Sequence, residues 1–133
     1  MSASPQFSTL DHLKAILQAQ AGLELAVLVG SQANGTATAQ SDWDIALRWR
    51  KDIAPMDQLL LGESLKQAIY QDLGVHPEQV DIIDLSQAKL AMRALVAEEG
   101  VVLKGQDSLP WMHFLTRTWA EIEDFHWRKT HAA

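Results

Sequence analysis

The chain has 133 residues, 47% hydrophobic and 21% charged, with 7 Gly, 4 Pro and no Cys. That is the length and composition of one globular domain; it excludes a disordered or collagen-like chain, a disulfide framework, a thiolate zinc site and a cysteine nucleophile. Seventeen acidic residues against eleven basic ones give a net charge of −6, the wrong sign for gripping a nucleic-acid backbone through general electrostatics.

Any phosphate this chain handles is therefore expected to be small and held locally or through a metal, with no direct nucleic-acid binding. The longest apolar run, Leu25 to Val29, is far short of the ~20 residues of a membrane helix. No Lys or Arg precedes Lys14 to form the basic start of a secretory signal. A cytoplasmic location away from membranes is the expectation.

Residues 1–7 read as a loose start. Ser8 precedes Leu10, Leu13, Ile16 and Leu17 at helical spacing, with Asp11 in capping-box position and Gly22 as the stop. Leu25 to Val29, bounded by glycines, reads as a strand buried on both faces. A polar stretch from Ser31 to Ser41 leads to a second strand around Asp44 to Trp49. A helix over 57–73 follows, with Leu60, Leu61, Leu65, Ala68, Ile69 and Leu73 inward and Gly74 at its end. Val80 to Leu85 is the third strand, and Ser86 caps a helix carrying Leu90, Ala94, Leu95 and Val96. Val101 to Leu103 is a short fourth strand closed by Gly105. The last helix starts near Ser108–Pro110 and presents Trp111, Phe114, Leu115, Trp119, Ile122 and Phe125 on one face. Strands alternating with helices predict an α/β (α+β) fold, a small sheet flanked by helices. With no repeat or linker, one domain over 1–133 is expected, its core at about 24–104 and its C-terminal helix at about 108–130.

The chemistry concentrates at Gly30-Ser31, ten residues, then Asp42-Trp43-Asp44. Gly30 ends a buried strand and lets the chain pass close to a ligand. Ser31 opens a short helix (Gln32 to Gly35), whose N–H groups and the Ser31 hydroxyl form an anion site. On a strand, Asp42 and Asp44 share one face about 7 Å apart. Paired carboxylates repel unless a cation lies between them, and hard oxygen ligands select Mg²⁺ or Mn²⁺. A third carboxylate is sought in Val80-Asp81-Ile82-Ile83-Asp84, where alternation lets only one acid join the site. Asp81 is favoured, because an acid amid Val80, Ile82 and Ile83 is costly to bury without a partner, whereas Asp84 is free to cap at the strand end.

These residues resemble the G-S-x₁₀-D-x-D signature of the minimal nucleotidyltransferases of the DNA polymerase beta-like superfamily. The resemblance extends over about 24–104 and includes Glu99 to Leu103. It implies a nucleotidyltransferase fold with a mixed sheet. Small proteins of this type are similar to antitoxins paired with a HEPN-domain ribonuclease toxin, which they silence by moving AMP from ATP onto a tyrosine hydroxyl. Carried over, Gly30 and Ser31 hold the triphosphate, Asp42 and Asp44 hold two Mg²⁺ ions, and Asp81 binds one metal and takes the hydroxyl proton. Many relatives carry Arg where Gln32 and Asn34 stand here; Arg48, Arg50, Lys51, Arg93 or Lys104 are the candidate replacements. The alternatives are a catalytically silent antitoxin that neutralises by binding, or a nucleotidyltransferase acting on an antibiotic. The second is disfavoured, since such enzymes generally add a domain for their acceptor and only 28 residues follow Gly105.

The remaining chemically conspicuous residues read more plainly. His12, His76, His113, His126 and His131 lack helical ligand spacing and are expected at the surface. Tyr70, the only tyrosine, is expected in helix packing. Trp127 falls opposite Trp111 and Ile122 and, beside Arg128 and Lys129, suggests a partner surface.

Overall fold

A computed structural model describes residues 5–132. In chain order it contains α1 (Pro5–Ala19), β1 (Leu23–Val29), α2 (Ser31–Asn34), β2 (Trp43–Trp49), α3 (Pro55–Leu73), β3 (Val80–Asp84), α4 (Leu90–Glu99), β4 (Val101–Lys104) and α5 (Leu109–His131). Two 3₁₀ turns, Pro77–Gln79 and Leu85–Gln87, flank β3. The strands form one mixed sheet in the order β3-β2-β1-β4, with β1 antiparallel to both neighbours and β2 parallel to β3.

The apolar run of β1 is explained by its place. It is a central strand packed on both faces, and Leu25 to Val29 are all buried. One face of the sheet, with Ala26, Leu28, Ile45 and Leu47, packs on Leu13 and Leu17 of α1 and Leu65 and Ile69 of α3. The other, with Leu25, Val27, Val29 and Ala46, packs on Val96 of α4 and Trp111 and Phe114 of α5. Each buried aliphatic side chain contributes about 1.5–3 kcal/mol. The sheet is therefore the shared floor of two apolar layers, and every functional side chain on it inherits that rigidity.

Several boundaries depart from the sequence reading. α1 begins at Pro5, so Ser8 lies inside the helix instead of capping it; positions 1–4 of the expected loose start lie outside the described residues. That helix ends at Ala19, and Gly22 sits in the following turn at φ +81°. Ser86 belongs to a 3₁₀ turn, and α4 starts only at Leu90. The inner face of α3 is narrower than expected: Leu65 and Ile69 are buried, but Leu60 is 59% exposed and Ala68 is also at the surface. On α5, Trp111 and Phe114 are buried, whereas Trp119 and Phe125 join Trp127 among the exposed side chains. The apolar stripe on α5 is longer than the sheet it covers: its second half meets α4 through Glu121 and Ile122 and leaves Trp119 and Phe125 in water. Ser108 does cap α5, accepting from the Trp111 N–H at 3.3 Å.

Candidate functional site

β1 delivers the chain to Gly30, which adopts φ +78° and ψ −157°. That region is essentially reserved for glycine. The Gly30 carbonyl accepts from the N–H groups of Ala33 (3.0 Å) and Asn34 (3.1 Å), which starts α2. A second demand falls on the same residue. A Cβ at Gly30 would lie 2.7 Å from Oδ2 of Asp44, so the turn and this carboxylate are in direct contact. The cause is register: antiparallel pairing sets Val29 opposite Asp44.

The parallel pairing of β2 with β3 sets Asp81 opposite Asp44, about 4.8 Å away between strands. Asp42 lies one residue ahead of β2 and is exposed. Asp44 is half-buried, and its pKa is raised by burial first, then by the negative charges of Asp81 and Asp42. Its ionised form is thus opposed by two neighbouring acids, and a divalent cation would relieve that opposition. Among the described residues, no group of three or more His, Asp or Glu is arranged to hold an ion by itself. This argues against a closed, all-protein cage. The carboxylates that register brings together are Asp44 and Asp81, an oxygen pair of the kind that hard divalent cations take.

Asp81 differs from expectation in one respect: it is exposed on an edge strand, not buried amid its apolar neighbours. The burial argument for it therefore fails, and register alone distinguishes the two acids. Asp84 lies opposite Leu47, three residues further along, and its Oδ1 accepts from Ser86 N (3.0 Å) and Ser86 Oγ (2.6 Å). Asp84 caps a turn.

The two positions where arginines are absent are occupied structurally. Asn34 Oδ1 accepts from Thr36 N (3.1 Å) and Thr36 Oγ1 (2.6 Å). Gln32 lines a cavity with Trp43, Leu73 and Val75, on the α1–α3 side of the sheet. None of the five candidate cations replaces them in place. Arg48 is opposite Leu25 and 3.7 Å from Glu24, at the far end of β1 from Gly30. Arg50 is bonded to Asp52 at 3.1 and 3.2 Å, and Lys51 follows it, both beyond the end of β2. Lys104, opposite Ala26, donates to the Gln20 carbonyl at 2.6 Å. Arg93 is bound to Glu121 at 2.6 and 3.1 Å.

The histidines are exposed: His12 meets Asp72 at 3.2 Å, and His131 stacks on Trp127 at 4.2 Å between ring centroids. Tyr70 packs against the α1–α3 core. No helix among the described residues is long and apolar enough to cross a membrane.

A mixed four-stranded sheet, flanked by helices and carrying a glycine–serine turn against a strand-borne aspartate, defines a nucleotidyltransferase fold. The chain belongs to the family "Polymerase beta, Nucleotidyltransferase", whose model matches residues 11–109. No curated protein matches it significantly in sequence. Among solved structures it is similar to a chain of a toxin–antitoxin crystal structure with AMP-PNP, with TM-score 0.66 and 22% identity over 96% of this chain and 94% of that one. It is also similar to a chain of the complex of a tri-AMPylated Shewanella oneidensis HEPN toxin with an MNT antitoxin, with TM-score 0.64 and 20% identity over 94% and 93% of the two chains. At these identities the likeness is one of fold.

Proposed function

We propose that this protein is the antitoxin of a HEPN ribonuclease toxin and silences it by transferring AMP from ATP to a tyrosine hydroxyl. The observation that carries this reading is the contact between Gly30 and the Asp44 carboxylate, with Asp81 across the strand. Family membership supports the reaction class. The partner and acceptor rest on the sequence signature and on what the structural neighbours are: toxin–antitoxin assemblies, one with AMP-PNP and one with a tri-AMPylated HEPN toxin.

In this reading Gly30 and Ser31 receive the triphosphate through backbone N–H groups and the Ser31 hydroxyl, and Asp42, Asp44 and Asp81 hold two Mg²⁺ ions. Bound there, Mg²⁺ would neutralise phosphate charge and stabilise an in-line displacement. The tyrosine oxygen bonds to the α-phosphorus while the bond from that phosphorus to its bridging oxygen breaks. Pyrophosphate leaves, and the hydroxyl proton passes to Asp81 and then to water. Asp44 and Gly30 orient the nucleotide's tail against this carboxylate.

The test is mass spectrometry of the partner after incubation with Mg–ATP, read as added AMP. Asp42→Ala and Asp44→Ala are expected to abolish labelling with circular dichroism unchanged; labelling that survives both refutes the mechanism. A second reading, a silent antitoxin that only covers its partner, is favoured by one observation: Asn34 and the cations Arg48, Arg50, Arg93 and Lys104 are all engaged away from a triphosphate at Gly30. Full neutralisation in cells by the Asp42→Ala/Asp44→Ala double variant would establish that reading instead.

A further inference from the structure

A groove of about 640 Å³ runs beside β3, between that strand and α3. Leu47, Trp49, Ile82 and Asp84 line it from the α3 face of the sheet and Asp81 from the other face, so it lies on the α3 side and reaches the strand's edge at Asp81. That edge is open, since β3 is the last strand and pairs only with β2 among the described residues. One end of the groove is at Asp81; the other reaches Trp49 of β2, whose C-terminal residues extend past β3. From the level of Asp44 to Trp49 this is about 17 Å at 3.4 Å per residue, room for an extended segment of roughly five residues.

Two features of its walls narrow the occupant. The α3 wall continues into an exposed stripe at helical spacing: Met56 (64%), Leu59 (60%), Leu60 (59%), then Glu63. Three large apolar side chains left in water along one face form a patch suited to a macromolecule, not the concave enclosure that a small acceptor needs. The charges are unequal as well. Glu63, Asp81 and Asp84 line the groove against one cation, Lys66.

We propose that this groove seats the acceptor as an extended, basic polypeptide segment along the open edge of β3, its hydroxyl-bearing residue beside Asp81 and its apolar flank on Leu59. The proposal rests on the transfer reading above and adds where the acceptor lies and what chemistry selects it. Strand addition to an open edge supplies main-chain hydrogen bonds, while side-chain contacts supply selectivity. Lys or Arg flanking the hydroxyl residue meets Glu63 and Asp84.

The full chain is titrated with two fluorescent nine-residue peptides, each with a central Tyr, one flanked by Lys and Arg and the other by Glu. Anisotropy is measured without nucleotide or metal, so phosphate charge contributes nothing to the preference. The basic peptide is expected to bind about fivefold to tenfold tighter, the worth of one or two exposed ion pairs. Glu63→Lys, or the milder Glu63→Gln, should reduce that preference, and Leu59→Asp should weaken both peptides alike. In the transfer assay these variants should raise the peptide's KM with kcat little changed and Mg–ATP affinity as in wild type. Equal binding of the two peptides, or insensitivity to all three variants, overturns the proposal. Selective binding without any transfer to Tyr leaves the docking surface standing and refutes the transfer reading, so the two failures are told apart.

Discussion

Replacing Gly30 by Ala tests the contact on which the site depends. Two costs are expected. Holding an alanine in a backbone region reserved for glycine costs about 1–3 kcal/mol. The new methyl, 2.7 Å from Asp44 Oδ2, forces that carboxylate off its rotamer by some 30°, which costs a further 0.5–1.5 kcal/mol or so. At roughly 2.1 cal/mol/K of unfolding entropy per residue, a chain of this size loses about 3.5 °C of Tm per kcal/mol. Gly30→Ala should therefore melt about 5–16 °C below wild type. Gly35→Ala is the internal control: Gly35 is at φ +82° and ψ 11°, but its Cβ would meet nothing within 4 Å. It carries only the left-handed backbone cost of about 1–2 kcal/mol, or some 4–7 °C. Differential scanning calorimetry of both, with Gly30→Ala repeated in an Asp44→Ala background, completes a double-mutant cycle. The Gly30→Ala penalty should shrink by about 1 kcal/mol once the carboxylate is gone. Additive effects within about 0.3 kcal/mol would mean that turn and acid do not touch.

Asp44→Asn should raise the Tm of the metal-free protein at neutral pH, because it removes a half-buried charge opposed by Asp81 and Asp42. The sign follows from the raised pKa: the folded state keeps a proton that the unfolded state has released, so wild-type stability falls as pH rises from 3.8 through the raised value. The Asn variant should lack this decline, and a lower Tm than wild type at pH 7 would contradict it. Arg93→Ala should lower the Tm by severing the α4–α5 tie to Glu121. Since Arg93 holds the Glu121 pKa below 4.5, that support is present above pH 4.5 and fades as pH falls through the lowered value; urea titrations along the acid limb should converge for variant and wild type. Thr118 is fully buried on α5, and its hydroxyl has no hydrogen-bond partner among the described residues. Thr118→Val should therefore gain about 1 kcal/mol, seen as a higher denaturant midpoint at unchanged m-value.

The strands and most helices could be read from the sequence because their causes are local. An apolar run between glycines is a buried strand, and Gly74 at φ +68° ends α3 where the pattern stops. The acids Asp42 and Asp44 were legible as a spacing. The contact of Gly30 with Asp44 was not, and Asp81 was preferred to Asp84 on a burial argument that its exposure removes; what sets the two acids apart is strand register, which pairs residues 15 and 37 positions apart. Burial misled where an element is wider than what covers it. Leu60 lies about 180° around α3 from the buried Ile69, on the outer stripe with Met56 and Leu59, whereas Trp119 and Phe125 fit the apolar period of α5 yet remain exposed. The arginines missing at Gln32 and Asn34 were visible at once; that Asn34 and four of the basic residues are spent elsewhere needed coordinates.

Asp44 and Asp81 stand on the adjacent strands β2 and β3, and Gly30 directly follows β1, the other neighbour of β2. Their spacing is set by the ladder of peptide hydrogen bonds, not by a loop that opens on its own. Slow-exchanging amides and the proposed site should thus be the same stretch of backbone, and gradual heating should undo the site and the secondary structure together, with no cooler interval in which the sheet survives without it.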